Sequence, residues 1–216
     1  SFVGGGTDLR SFYSEEPGMV LSTSIDKYIY VVVKRQVGIV EFKYRVNWSK
    51  VEFCNNIEDI EHPIVREALK LFQIDFPVEI TTFSDIPGST GLGSSSAFSV
   101  GLVHALHALK GKYATKHVLA SDAASIEVDI LKRTMGKQDH FASAYGNLNI
   151  FTFNSDESIT VEPVFYSREV RDELESNLML FYTEIKRDAS EVLDSQNDAT
   201  QDKRSVLGKM RDLVLP

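Results

Sequence analysis

Asp85-Ile86-Pro87-Gly88-Ser89-Thr90-Gly91-Leu92-Gly93-Ser94-Ser95-Ser96-Ala97 sets three glycines among a run of hydroxyl residues at the mouth of an apolar segment. Val78 to Phe83 ahead of it reads as a strand. Ser95 to about Leu109 behind it reads as a helix, with Val100, Val103 and Leu106 at helical spacing. Strand, glycine loop and helix in that order make a phosphate cradle. Glycines let the backbone approach an anion and aim several N–H groups at it, and the helix start adds unpaired donors and partial positive charge. Serine hydroxyls add donors, and one of them can ligate a metal. Gly88 and Gly93 have the spacing of a P-loop, but Ser94 stands where its lysine belongs, so this is not a Walker A loop. The bland alternative is a serine-capped helix behind a turn.

The 216 residues carry a net charge of −8 and 43% apolar side chains, enough to bury a core in one or two domains. An acidic chain lacks the basic stripe that a nucleic-acid groove requires, so no nucleic-acid partner is expected, whereas a small anion held in a local pocket is compatible. Cys54 is the single cysteine, which excludes an internal disulfide and a cysteine-rich metal site and suggests a cytoplasmic protein. No apolar run is long enough to span a bilayer, so no membrane partner is expected. The first residue, Ser1, falls inside an apparent motif, and residues upstream of it are expected.

Working outward, Ser1 to Asp8 reads as a strand end entering a glycine turn, in which Gly5 and Gly6 allow close approach and Thr7 and Asp8 offer hydrogen bonds to sugar hydroxyls. The alternative there is a tight turn with an Asx cap. Leu9 occupies the last glycine place of a dinucleotide fingerprint, so that reading fails. Gly18 to Lys34 predicts two strands or one bent strand, and Ile39–Val46 with Val51–Phe53 predicts a continuing antiparallel meander. Pro63 opens a helix from Ile64 to about Phe72. Beyond the cradle, Val118–Arg133 predicts a helix with Glu127 in the stripe of Ala120, Ala124 and Leu131, a place where a carboxylate either lies at the edge or points into a pocket. Gly136-Lys137-Gln138-Asp139-His140 opens a short helix that Gly146 stops. Leu148–Phe153 and Ile159–Val164 predict a hairpin, followed by a polar helix from Arg168 to Asn177, a buried strand at Leu178–Thr183, and helices at Asp188–Asp198 and Lys203–Leu213. A domain boundary is expected near Phe165, dividing 1–165 from 166–216.

Phosphoryl transfer asks for little covalent help: a cradle, Mg²⁺ to offset charge, and a group to position or deprotonate the acceptor. The residues Pro87 to Ser96 supply the first. A serine hydroxyl with Glu127 suits Mg²⁺, which takes one or two protein oxygens and keeps waters. Asp139 can accept a proton, with Lys137 an available cation to keep it ionised. His104 and His107 lie one turn apart without a third ligand and read as packing residues. Trp48 reads equally as an adenine stacker or as surface packing. Lys137 and His140 flank the base within reach of a phosphate.

Pro87–Ala97 resembles the second motif of the GHMP kinases. Phe2-Val3-Gly4-Gly5-Gly6-Thr7-Asp8-Leu9, Ser22 to Tyr28, His62 to Ala68, Gly136 to His140 and Phe181-Tyr182-Thr183 extend the likeness to the D-glycero-D-manno-heptose 7-phosphate kinase branch. The resemblance implies an α+β fold, with a GHMP-type N-terminal domain (a mixed or antiparallel sheet packed on helices) followed by an incomplete ferredoxin-like C-terminal domain. It implies ATP and Mg²⁺ as cofactors, Ser95 and Glu127 as metal ligands, and Asp139 as base. The ATP site would run through Pro87, Gly88, Ser89, Thr90, Gly91, Leu92, Gly93, Ser94, Ser95 and Ser96. Gly5, Gly6, Thr7, Asp8, Lys137 and Arg187 would hold a sugar phosphate that receives the γ-phosphate on its anomeric hydroxyl. Another monosaccharide as acceptor, or a non-catalytic binding homologue, are the alternatives. Glu184 departs from the glycine that the branch carries after Tyr-Thr, and the upstream basic residue and the third, glycine-rich motif are absent from the sequence.

Overall fold

The computed structural model describes residues 1–88, 90–181 and 200–215. In chain order these hold α1 (Arg10–Tyr13), β1 (Gly18–Thr23), β2 (Ile29–Arg35), β3 (Tyr44–Asn47), β4 (Val51–Cys54), α2 (Pro63–Leu71), β5 (Val78–Ser84), α3 (Ser94–Leu109), α4 (Lys116–Ala124), α5 (Gln138–Tyr145), β6 (Leu148–Phe153), β7 (Ile159–Pro163), α6 (Arg168–Ser176) and α7 (Thr200–Asp212). A π-helical turn, Ser125–Ile130, continues α4. The fold is α+β. None of the described helices is long and apolar enough to cross a membrane.

The strands form two sheets. One has the order β2-β5-β3-β4, with β5 antiparallel to β2 and parallel to β3; the other is antiparallel, in the order β1-β6-β7. The expected meander is therefore corrected. β2 and β1 belong to different sheets, β5 comes between β2 and β3, and Ile39–Phe42 is not a strand. Only β3 and β4 keep the hairpin, closed by the Trp48 N–H donating to the Lys50 carbonyl at 2.9 Å. Local alternation cannot distinguish a neighbour in sequence from one supplied through a helix, which is how β5 arrives.

Local chemistry sets the helix starts. Pro63 takes the first turn of α2 behind His62, whose ring accepts from the Val65 N–H, and Thr115 caps α4 by accepting from the Val118 N–H. Helix α3 carries Leu102, Val103 and Leu106, all fully buried, against the β2-β5-β3 face and α2. At Gly101 a Cβ would stand 3.1 Å from Val31 Cγ2, so the helix lies close on β2. A second core of Tyr13, Val20, Phe141, Phe151 and Phe153 fills the space between α5 and the β1-β6-β7 sheet. Val20 and Phe151 are cross-strand partners in it.

The strand expected at Leu178–Thr183 is also corrected where it can be seen. Leu178 to Phe181 are exposed coil, and neither sheet holds a strand from this stretch. An apolar run has strand character only where a partner strand takes up its backbone groups. Ser89, Tyr182, Thr183, Glu184, Arg187 and the helix expected at Asp188–Asp198 lie outside the described residues.

The outer face of the four-stranded sheet is open, with Tyr30 51% and Phe53 51% exposed. Leu102→Ala should cost about 2–5 kcal/mol in urea unfolding, as for a buried leucine that leaves a cavity. Tyr30→Ala should cost less than about 1 kcal/mol, and a loss as large as that of Leu102→Ala would show that this face is covered.

Candidate active site

Gly91 and Gly93 both take left-handed backbone, φ +76° and +68°, and so turn the chain into α3 where a side chain would be strained. Gly93 is the N-cap of α3 and no side chain caps the helix, which leaves its first-turn N–H groups facing the loop. A Cβ at Gly88 or Gly91 would meet nothing within 4 Å, so the cradle borders open space. Thr90 Oγ1, in the loop, and Ser96 Oγ, in the first turn of α3, are buried without protein partners, with hydrogen-bonding capacity unspent.

Glu127 is 0% exposed, and its carboxylate joins three segments. Ser95 Oγ donates to Oε2 at 2.5 Å, Ser99 Oγ to Oε1 at 2.7 Å and Arg133 Nη1 to Oε2 at 2.6 Å, while His140 Nε2 lies 3.1 Å from Oε1. Burial alone would push this carboxyl up, but the His140 ring and the two serine hydroxyls outweigh it and hold the group down at about 2. The carboxylate in the apolar stripe is thus neither at an exposed edge nor unpaired, but lies inside a buried hydrogen-bond cluster. The π turn directs it there, since the wider turn shifts the side chain off the plain helical stripe.

Asp139 stands in the first turn of α5 and meets the cradle from the other side. A Cβ added to Gly93 would lie 3.0–3.1 Å from its Cβ, Cγ and Oδ2 atoms. Burial pushes its carboxyl above the ordinary range; Glu127 adds to the shift and His140 opposes it. The turn from Gly93 to Ser95 therefore touches both acids: Asp139 through packing against Gly93, and Glu127 through the Ser95 hydroxyl.

The N-terminal glycine loop lies beside this turn. Gly5 faces Gln138, whose Nε2 would be 3.8 Å from a Cβ there. Thr7 and Asp8, expected to offer hydrogen bonds to a sugar, are instead spent inside the fold. Thr7 Oγ1 donates to the Gly4 carbonyl at 2.7 Å and accepts from the Met19 N–H at 3.0 Å. Asp8, 2% exposed, accepts from the N–H groups of Gly6 and Gln138, each at 3.1 Å, and so anchors the start of α5. The fit needs Gly136, where a Cβ would come within 1.8 Å of Asp8 Oδ2. Burial pushes the Asp8 carboxyl up to about 6 against those two amides.

Lys137 does not serve as the cation for Asp139. Its Nζ bonds Glu157 at 2.7 Å, in a cluster where Arg10 Nε and Tyr13 Oη reach the same carboxylate at 2.7 and 2.8 Å. His140, expected to flank a phosphate, is fully buried on Glu127. Trp48 is partly exposed, gives its indole N–H to Glu52 at 2.7 Å and meets the edge of His62, which in turn packs on Phe98. His107 pairs with Asp122 at 2.9 Å, while His104 is exposed. A cavity of about 320 Å³ lies beside His107, Lys110 and Asp122, at the opposite end of α3 from the cradle.

Sequence reading missed Arg133 and the part played by Ser99. Ser99 carries a signal, since it follows Ser95 by one helical turn and shares its face. Arg133 is six residues from Glu127, a spacing that brings no two side chains together on a regular helix.

Residues 63–147 match the family model described as GHMP kinases N terminal domain. Over 94% of its length the chain is 27% identical to the D-glycero-alpha-D-manno-heptose 7-phosphate kinase of Campylobacter jejuni, and it spans 63% of that enzyme. It is 22% identical to the galactokinase of Pyrococcus furiosus over 89% of this chain and 55% of that one. In architecture it is similar to a D-glycero-D-manno-heptose 1-phosphate kinase from Bacteroides thetaiotaomicron, with a TM-score of 0.74 at 23% identity over 97% of this chain and 71% of that one. It is also similar to the Lactococcus lactis galactokinase solved with galactose, with a TM-score of 0.58 at 15% identity over 96% and 67% of the two chains. The glycine-serine turn and the two acids that meet at it, Glu127 and Asp139, all fall within the stretch, residues 63–147, that is similar to the N-terminal domain of the GHMP kinases.

Proposed function

We propose that the protein is an ATP-dependent sugar kinase that phosphorylates the anomeric hydroxyl of a heptose already phosphorylated at its far end. The observation that carries the reading is the meeting of Glu127 and Asp139 at the Gly93–Ser95 turn of an uncapped helix start. The likeness to a heptose 7-phosphate kinase supports the acceptor class.

In this reading the N–H groups and hydroxyls of Gly91 to Ser96 receive the triphosphate, and the unpartnered hydroxyls of Thr90 and Ser96 take up its oxygens. Among the described residues no group of three His, Cys, Asp or Glu stands ready to chelate a metal. That suits Mg²⁺, which draws most of its ligands from phosphate and water, and the oxygen donors Ser95 Oγ and Glu127 fit it. When bound, the ion offsets charge on the transferring phosphoryl group. Asp139 accepts the proton of the anomeric hydroxyl as that oxygen bonds the γ-phosphorus, the bond from the γ-phosphorus to the β,γ-bridging oxygen breaks, and ADP leaves. Gly5 and Gly6 border the acceptor's place, and Lys137 and Arg187 are proposed to face its phosphate. We also assign the protein to the cytoplasm, in keeping with a free Cys54 as its single cysteine.

Asp139→Asn should leave nucleotide affinity nearly unchanged and lower kcat by about 10²–10⁴, measured by coupled ADP release and equilibrium titration. Turnover equal to the wild type would remove Asp139 from the role of base. Because a base works ionised and this carboxyl is raised, kcat/KM should fall as pH drops through a value above the ordinary carboxylate range. An acid limb at or below that range would contradict the assignment. Across a panel of a 7-phosphorylated heptose, galactose and fucose, ADP release should be fastest with the heptose phosphate. Equal rates would point to another monosaccharide, and binding without turnover to a non-catalytic homologue.

A further inference from the structure

Arg133 owes its position to backbone geometry. The π turn ends with the Leu131 N–H on the Ile126 carbonyl, Lys132 turns left-handed at φ +54°, and the Arg133 N–H donates back to the Glu127 carbonyl at 3.0 Å. The chain doubles over and lays the guanidinium on the side chain of the same glutamate. Nη1 is 2.6 Å from Glu127 Oε2 and 3.0 Å from Ser95 Oγ. These are the two side chains that the proposed kinase reading gives to Mg²⁺, and one cationic nitrogen already bridges them.

Two cations cannot share that place, because each needs the same lone pairs and each repels the other. A fully buried carboxylate cannot be left without a counter-charge either, since stripping a buried ion of its partner is strongly unfavourable. Ser99 and His140 stay on the carboxylate when the guanidinium leaves, and its departure from Oε2 is favoured when another positive charge takes that place. It has somewhere to go: the Arg133 side chain is 37% exposed, and the cradle beside it is open at Gly88 and Gly91.

Resting on the kinase reading, we propose that Arg133 is the resident counter-ion of the divalent-cation place, held on Glu127 and Ser95 in the nucleotide-free protein and displaced when the metal binds. A metal alone must evict the guanidinium into water, whereas a metal arriving with a triphosphate gives it an anion to meet in the groove. Metal and nucleotide then bind with positive coupling, and Arg133 sets its size.

The test is a Mn²⁺ titration followed by electron paramagnetic resonance, which needs no turnover, on wild type, Arg133→Gln and Arg133→Lys, with and without a non-hydrolysable ATP analogue. Without nucleotide, Arg133→Gln should bind Mn²⁺ about ten-fold more tightly than wild type, the scale of one lost charge-assisted contact. Its coupling to the analogue should shrink by the same factor, while Arg133→Lys keeps the wild-type pattern. Equal or weaker Mn²⁺ binding by Arg133→Gln, with wild type still taking up metal and analogue, would overturn the proposal and leave the kinase reading standing. No Mn²⁺ uptake by wild type even with the analogue would overturn both. Should Arg133→Gln fold poorly without metal, Mn²⁺ should raise its Tm more than that of wild type; an equal rise would count against the proposal.

Discussion

A single negative charge buried on the Glu127 carboxylate ties the site together. Removing it from water is costly, and the cost is offset because Ser95 and Ser99 reach it from α3, His140 from α5 and Arg133 from the turn beyond the π segment. Losing one partner of such a pair commonly costs about 3–5 kcal/mol, so these donors hold three segments in one arrangement. The start of α3 and the start of α5 are brought to the same point, and that point is where the glycine turn opens. The arrangement also places Asp139 against Gly93, close to the uncapped N–H groups.

A second buried carboxylate secures the other border. Asp8 takes the first N–H of α5 and one from its own glycine loop, so the N-terminal loop and the acid-bearing helix move as one piece. Gly136 makes room for it. The Lys137 side chain is drawn away from the cradle toward Glu157, where Arg10 and Tyr13 converge as well. Glu157 itself sits at φ +69°, a backbone cost that its three strong contacts offset. Asp139 is thus buried, near Glu127 and without a lysine partner, in line with its raised carboxyl.

Much of this was readable from the sequence. Pro63 gave the start of α2, the spacing of Val100, Val103 and Leu106 gave the buried side of α3, and Gly146 marked the end of α5. These are signals that a few neighbouring residues carry by themselves. Glu127 in an apolar stripe marked a carboxylate that needs partners wherever it is buried, for the same reason. What the sequence hid was non-local or depended on irregular backbone. The insertion of β5 between β2 and β3 needs knowledge of which strands meet. The return of Arg133 to Glu127 needs a π turn and a left-handed lysine that no periodicity foretells. Thr7 and Asp8 were read as ligand groups because they are polar beside glycines, but polar side chains in a glycine loop can equally satisfy the loop's own amides, and here they do. Leu178 to Phe181 have strand composition, but among the described residues no strand pairs with them.

The kinase reading stands on Glu127 and Asp139 meeting one triphosphate at the Gly91–Ser96 turn. The most direct measurement is a crystal structure with Mn²⁺ and a non-hydrolysable ATP analogue, with the metal located by its anomalous scattering. The ion should lie within coordination distance, roughly 2.0–2.3 Å, of the Ser95 hydroxyl and the Glu127 carboxylate, with the phosphates along the start of α3 and Asp139 facing the terminal one. A nucleotide seated away from that turn, or a metal that touches neither Ser95 nor Glu127, would contradict it.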